Sequence, residues 1–198
     1  MSMIPSLPSS PSHPNCPNHP MRKLRTIEMK RLTAEEYREA EKVPLTVVLD
    51  DVRSMHNVGS VLRTADAFRL EAVLMCGITG TPPHAEIHKT ALGAEDSVCW
   101  RYFPSATEAV SELKAEGVEV LAVEQTEGST MLHQFRPDPS RRYAIVMGNE
   151  VKGVHQEVID LCDGCLEIPQ RGTKHSMNVS VAAGIVIYCI AGQLQDTF

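Results

Sequence analysis

The sequence predicts an α/β fold with a mostly parallel sheet flanked by helices. Apolar runs at residues 45–49, 72–76, 118–123 and 143–147 show no polar face, as strands covered on both sides require. Helical patterns alternate with them at residues 57–68, 87–92, 106–116 and 155–161. Strand–helix alternation of this kind is the mark of parallel βαβ units. Four polar stretches fall just after strands: 50–57, 124–128, 148–150 and 170–178. Such folds gather ligands at that sheet edge, so four loops meeting there describe a site better than any one of them.

Taken in order, residues 1–20 carry proline at every third position from 5 to 20 and read as a disordered Pro-rich leader. Residues 21–44 form a basic N-terminal helical arm. Arg22, Lys23, Arg25, Lys30 and Arg31 are interrupted only by Glu28, and Thr33 with Glu36 makes a capping box for a short helix reaching about Lys42. Residues 45–198 form the main domain. Weaker strand candidates lie at 98–103 and 165–168. The longest apolar run, 179–192 with only Ser180 polar, is shorter than the roughly 20 residues that span a bilayer and reads as a buried helix. A terminal helix apolar nearly all round needs cover, and a subunit interface is the simplest source.

Composition narrows the function. A chain of 198 residues with 42% hydrophobic content can bury a sizeable core, and its net charge of −6 confines any polyanion contact to a local basic patch. No charged segment precedes a secretory apolar run, which predicts a cytoplasmic protein. Six cysteines, mostly inside apolar runs, then read as reduced. Cys162-x-x-Cys165 lacks a second pair, and His84 with His88 lacks a flanking acid; neither predicts a metal. No P-loop or dinucleotide fingerprint follows any strand. Ser176 beside His175 lacks the Gly-x-Ser-x-Gly elbow of a hydrolase.

Three segments carry chemistry. In the first, Val58, Val61, Leu62, Ala65 and Phe68 form a core-facing stripe that leaves Arg63 outside. Asn57 is a candidate N-cap, or its amide orients a substrate. Gly59, four residues before Arg63, predicts room beneath the guanidinium for a substrate. In the second, a strand runs into Gly148-Asn149-Glu150, where Gly148 lets backbone approach a ligand, and Gly153 precedes a helix. In the third, Ile168-Pro169 leads through a polar basic loop to Ser176-Met177-Asn178-Val179, with Ser176 as the expected N-cap of the last helix.

Together Asn57-x-Gly59-x-x-x-Arg63, Gly148-Asn149-Glu150-x-x-Gly153 and Ile168-Pro169 followed by Ser176-Met177-Asn178-Val179 resemble the SpoU-type (TrmH-like) family of SPOUT RNA ribose 2′-O-methyltransferases. The resemblance covers residues 45–198. It implies a C-terminal trefoil knot, S-adenosylmethionine as cofactor, and a homodimer with its sites at the interface. It casts Arg63, Asn57, Glu150, Ser176 and Asn178 as catalytic or substrate-positioning residues. Gly148, Ile168 and Met177 hold the cofactor, Met177 standing where leucine is more usual. RNA contacts fall to Arg22, Lys23, Arg25, Lys30, Arg31, Arg53, Arg171 and Lys174. The expected substrate is tRNA, because residues 1–44 are too few for the extra N-terminal domain of some ribosomal members. An rRNA 2′-O-methyltransferase and a non-catalytic RNA-binding protein of the same fold are the alternatives. The chemistry calls for neither metal nor membrane. His56 and His175 flank the motifs as alternative bases.

Overall fold

A computed structural model describes residues 22–29 and 31–195. The expected leader at 1–20 and Lys30 of the basic arm lie outside the described residues. The chain divides into two compact units, Met1–Leu32 and Thr33–Phe198. In the first, a 3-10 turn at Thr26–Met29 is held by Glu28, which accepts the Arg25 N–H at 2.7 Å and pairs with both terminal nitrogens of Arg22 at 2.8 and 3.0 Å.

The second unit opens with α1 (Ala34–Glu39), where the Thr33–Glu36 capping box forms as its sequence predicts. The helix ends at Glu39, short of Lys42, and its Tyr37 is buried in the core. Then follow β1 (Val43–Asp50), α2 (Met55–Ala67), β2 (Leu70–Cys76), α3 (Ala85–Ala91), α4 (Ala94–Ser97), β3 (Trp100–Phe103) and α5 (Ala106–Ala115). The chain continues through β4 (Glu119–Val123), β5 (Thr130–Met131), β6 (Tyr143–Met147), α6 (Gln156–Ile159), β7 (Gly164–Glu167) and α7 (Val179–Leu194). The seven strands form one sheet in the order β3-β2-β1-β6-β4-β7-β5, and every pairing is parallel.

Alternation along each strand builds two cores. Leu45, Val47 and Leu49 of β1, with Tyr143, Ile145 and Met147 of β6, pack beneath α2, α3 and α7. Val48, Ala144 and Val146 point to the other side, against α5 and α6. Neither face of these strands meets water, which is why they carry no polar alternation.

The caps differ from expectation. Ser54, and not Asn57, caps α2: its Oγ accepts the Asn57 N–H at 3.4 Å. Asn178, and not Ser176, caps α7, accepting the N–H groups of Ser180 and Val181. Each alternative side chain is of capping type, so residue type alone does not decide which one caps. Gly59 also differs. A Cβ there would lie 2.1 Å from Thr90 Oγ1 and 2.3 Å from the Ile87 carbonyl oxygen. The missing side chain lets α3 press onto α2; it opens no room for a substrate.

Candidate active site

The loops after β4, β6 and β7 enclose a cleft of about 470 Å³ at the C-terminal ends of those strands. That size is within the roughly 300–1,000 Å³ of small-molecule sites. Gly148, Ile168 and Met177 line it, as do Glu150 and Ser176. Apolar walls come from Val123, Ile159, Leu166, Val179 and Ala182, and three acidic residues, Glu124, Glu150 and Glu167, line it with Lys152.

Glu150 belongs to both the cleft and a hydrogen-bonded set that joins the three segments. Its Oε1 accepts the Asn57 Nδ2–H at 2.9 Å and the Ser54 N–H at 3.0 Å. Its Oε2 accepts the Arg53 N–H at 3.0 Å. Asn57, only 8% exposed, uses the other end of its amide to accept the Asn178 Nδ2–H at 3.1 Å. Ser180 Oγ lies 2.6 Å from Asn178 Oδ1 and 3.4 Å from Asn57 Oδ1, closing the set. Desolvation pushes the Glu150 carboxyl up, yet the Arg53 N–H, the Asn57 amide and further backbone donors outweigh it. The net result is a pKa below the ordinary glutamate value. Glu150 is therefore a carboxylate at neutral pH, suited to bracing and to attracting a cation rather than to giving up a proton.

The glycines of the second segment shape its loop. Asn149 and Gly153 exchange backbone hydrogen bonds at 3.0 and 2.9 Å, and a Cβ on Gly148 would sit 2.1 Å from the Gly153 carbonyl carbon and from the Val154 nitrogen. Gly148 thus admits its own loop. Asn149, also 8% exposed, holds that loop to β1 through the Asp51 carbonyl at 2.7 Å and accepts the N–H groups of Val151 and Lys152. Gln125 Nε2 donates to the His175 carbonyl at 3.0 Å, pinning the loop before α7 to the end of β4. Asn149, Ser54, Gln125 and Ser180 were not assigned individually from the sequence. Asn149 stands within the Gly148-Asn149-Glu150 motif, and the other three are marked only by position, next to or within the strand-end stretches.

Arg63 stands apart. It is exposed on α2, six residues beyond Asn57, and so about 9 Å farther along the helix. It does not line the cleft, and among the described residues no hydrogen bond or ion pair holds its guanidinium. Arg171 and Lys174 are exposed in the loop before α7, beside the cleft residues Gln170 and His175. Arg53 is exposed and enters the site only through its backbone. In the basic arm Lys23, Arg25 and Arg31 are exposed, whereas Arg22 is already paired with Glu28. Of the two histidines, His175 lines the cleft, and His56 turns away to Glu86 at 2.7 Å. Asp50, Asp51 and His155 bring ligand-type atoms within 4.8 Å of one another. The backbone and ring Nδ1 of His155 meet Asp50 at 3.0 and 2.9 Å, so this cluster joins α6 to β1.

One face of α7 is bare. Val181, Ile185 and Tyr188 are 55%, 40% and 68% exposed. They border an apolar groove with Leu132, Pro169, Gly184 and Cys189. No helix among the described residues is long and apolar enough to cross a membrane.

Fold and cleft together define a parallel α/β protein with a candidate site built from loops at the strand ends. Residues 44–188 match the model of the SpoU rRNA Methylase family. The 23S rRNA (guanosine-2′-O-)-methyltransferase RlmB of Neisseria meningitidis is 35% identical over 144 residues, 73% of this chain and 56% of that protein. The tRNA (guanosine(18)-2′-O)-methyltransferase of Thermus thermophilus is 32% identical over 161 residues, 81% of each chain. Among solved structures, the A. aeolicus TrmH/SpoU tRNA modifying enzyme superposes with a TM-score of 0.71 at 26% identity over 81% of each chain. An AdoMet-bound rRNA methyltransferase from Sinorhizobium meliloti gives 0.69 at 27% identity, covering 79% of this chain and 59% of that one. The chain belongs to the SpoU methylase family. It spans little more than half the length of the RlmB proteins it matches.

Proposed function

We propose that the chain is an S-adenosylmethionine-dependent RNA ribose 2′-O-methyltransferase that acts on tRNA as a homodimer. The observation that carries this reading is the single hydrogen-bonded set of Asn57, Glu150 and Asn178, one residue from each segment, sharing Glu150 with the cleft. The cleft suits the cofactor: apolar walls for an adenine and three carboxylates for a molecule bearing sulfonium and ammonium charges. Gly148, Ile168 and Met177 hold it, and it supplies a methyl group already activated on sulfur.

What the protein must add is alignment and a 2′-hydroxyl that loses its proton as it attacks. The Arg63 guanidinium stabilises the developing alkoxide, an RNA phosphate beside it accepts the hydroxyl proton, and S-adenosylhomocysteine departs. Ser176 and Asn178 position the ribose, and Asn57 and Glu150 fix Asn178. Arg63 does not reach the cleft of its own chain, so pairing through the bare α7 face is the arrangement that lets it serve the cleft of a second copy. Two observations support that face as the interface: Tyr188 is largely exposed, and its ring meets Phe68 of the same chain edge-on at 6.1 Å, tying the end of α2 to that face. A C-terminal trefoil knot agrees with the topology. After β7 the chain crosses the ends of β4 and β6 before α7 returns to α2 and β1.

The tRNA reading draws on the tRNA enzyme that matches 81% of both chains. An rRNA reading is favoured by the higher identity to the 23S rRNA enzymes. Arg53, Arg171 and Lys174, with Lys23, Arg25, Lys30, Arg31 and Arg22, take the phosphates, and binding then weakens steeply with salt. Transfer of labelled methyl from S-adenosylmethionine to tRNA and to 23S rRNA, with the product nucleoside identified, tests the function. Cofactor binding with no transfer to either RNA would instead mark a non-catalytic RNA binder. Mixing Arg63→Ala with Glu150→Gln chains tests the shared site: inactive homodimers should regain activity together.

A further inference from the structure

Glu124 is a cleft residue to which neither the three segments nor the family comparison assigns a role. It follows the last residue of β4 and lines the cleft, and backbone N–H groups hold its carboxylate from two sides. Oε1 accepts the Gln125 N–H at 2.9 Å, and Oε2 accepts the Val154 N–H at 3.1 Å. The close approach depends on Gly153, which has a φ of +70° and where a Cβ would lie 2.1 Å from Glu124 Oε2. The glycine that ends the second segment therefore also makes room for this carboxylate.

We propose that Glu124 binds the vicinal ribose hydroxyls of the cofactor, a role that rests on the cleft being the S-adenosylmethionine site. A carboxylate offers about four acceptor positions, two on each oxygen. Backbone N–H groups take one on each oxygen, leaving one free on each. A vicinal diol presents two O–H donors on adjacent carbons, which matches one remaining acceptor on each of two linked oxygens. The adenine amino group carries both its donors on one nitrogen and can satisfy only one of those oxygens. Hydrogen bonds to a charged acceptor are the stronger kind, and this acceptor is held in place before the ligand arrives.

The test is calorimetric binding of S-adenosylhomocysteine and of its 2′,3′-dideoxy counterpart to the full chain. Wild type should prefer the natural product by on the order of tenfold or more, as the loss of hydrogen bonds to a charged group implies. Glu124→Gln and Glu124→Ala should bind S-adenosylhomocysteine more weakly and lose most of that preference. Gly153→Ala, which displaces the carboxylate, should do the same with every cleft side chain still present. A purely structural role for Glu124 weakens both ligands equally. An unchanged preference in folded Glu124 variants, or no preference in wild type, therefore overturns the proposal. Failure of wild type to bind S-adenosylhomocysteine at all instead overturns the cleft assignment beneath it.

Discussion

Helices α2 and α7 pack against each other, yet they finish their outer faces in opposite ways. The buried side of α2 is Val58, Val61, Leu62 and Ala65, and its outer side carries His56 and Arg63 in solvent. α7 buries Ala183, Val186, Ile187 and Ile190 and leaves Val181, Ile185 and Tyr188 bare. A polar outer face is complete in water, whereas an apolar one of this extent marks a surface awaiting a partner. Both helices begin beside the Asn57–Asn178 hydrogen bond, so one end of the pair anchors the site and the remainder differs in what it offers outward.

Breaking the outer face of α2 should have the largest effect. Arg63→Ala should cost roughly 10²–10³ in kcat, the usual loss for one charge-stabilising donor. The thermal midpoint and cofactor affinity should stay at wild-type values, since no internal contact is removed. Arg63→Lys should fail comparably, because a point charge does not replace the planar fork. Single-turnover rates check both.

Breaking the outer face of α7 comes next. Ile185→Asp should weaken self-association by about a hundredfold or more, by placing an unpaired charge in the interface. Sedimentation should find monomers of native circular dichroism, with methyl transfer lost and cofactor binding retained.

At the shared end the effect is one of stability. Asn57→Ala removes the Glu150 and Asn178 contacts together and should cost about 1–3 kcal/mol in denaturant unfolding. The smallest effect is a pH dependence. The folded pKa of Glu150 lies below its unfolded value, so its contribution is complete above the ordinary glutamate value of about 4.3. It fades as pH falls through the lowered folded value. Glu150→Gln should lower stability at neutral pH by that contribution, flatten the curve across the acidic window and converge on wild type below it.

The same two helices show how much of the molecule was legible in the sequence. Their existence and inner stripes follow from periodicity, and the strand at Tyr143–Met147 has the bounds its apolar run predicts. Their caps do not, because Ser54 and Asn57, like Ser176 and Asn178, are all residues of capping type, and residue type alone does not choose between them. Gly59 misled because the atoms that need its missing side chain sit on α3, near Ile87 and Thr90. The two-residue strand at Thr130–Met131 is too short to show any period. The resemblance supplied the membership of Asn57, Glu150 and Asn178, and the structure joins them. Glu124 carries no local signal beyond its place after a strand; its partner Val154 is 30 residues away.

The amide of Asn57 has a consequence for how the molecule matures. It bridges partners 93 and 121 residues along the chain. Contacts across such separations must await closure of the long loops between them. Glu150 and Asn178 therefore meet through Asn57 only once both the central strands and the last helix have docked. Under the proposed function, assembly of this set would act as a final inspection of the fold, and a half-assembled chain would lack the site that RNA methylation requires.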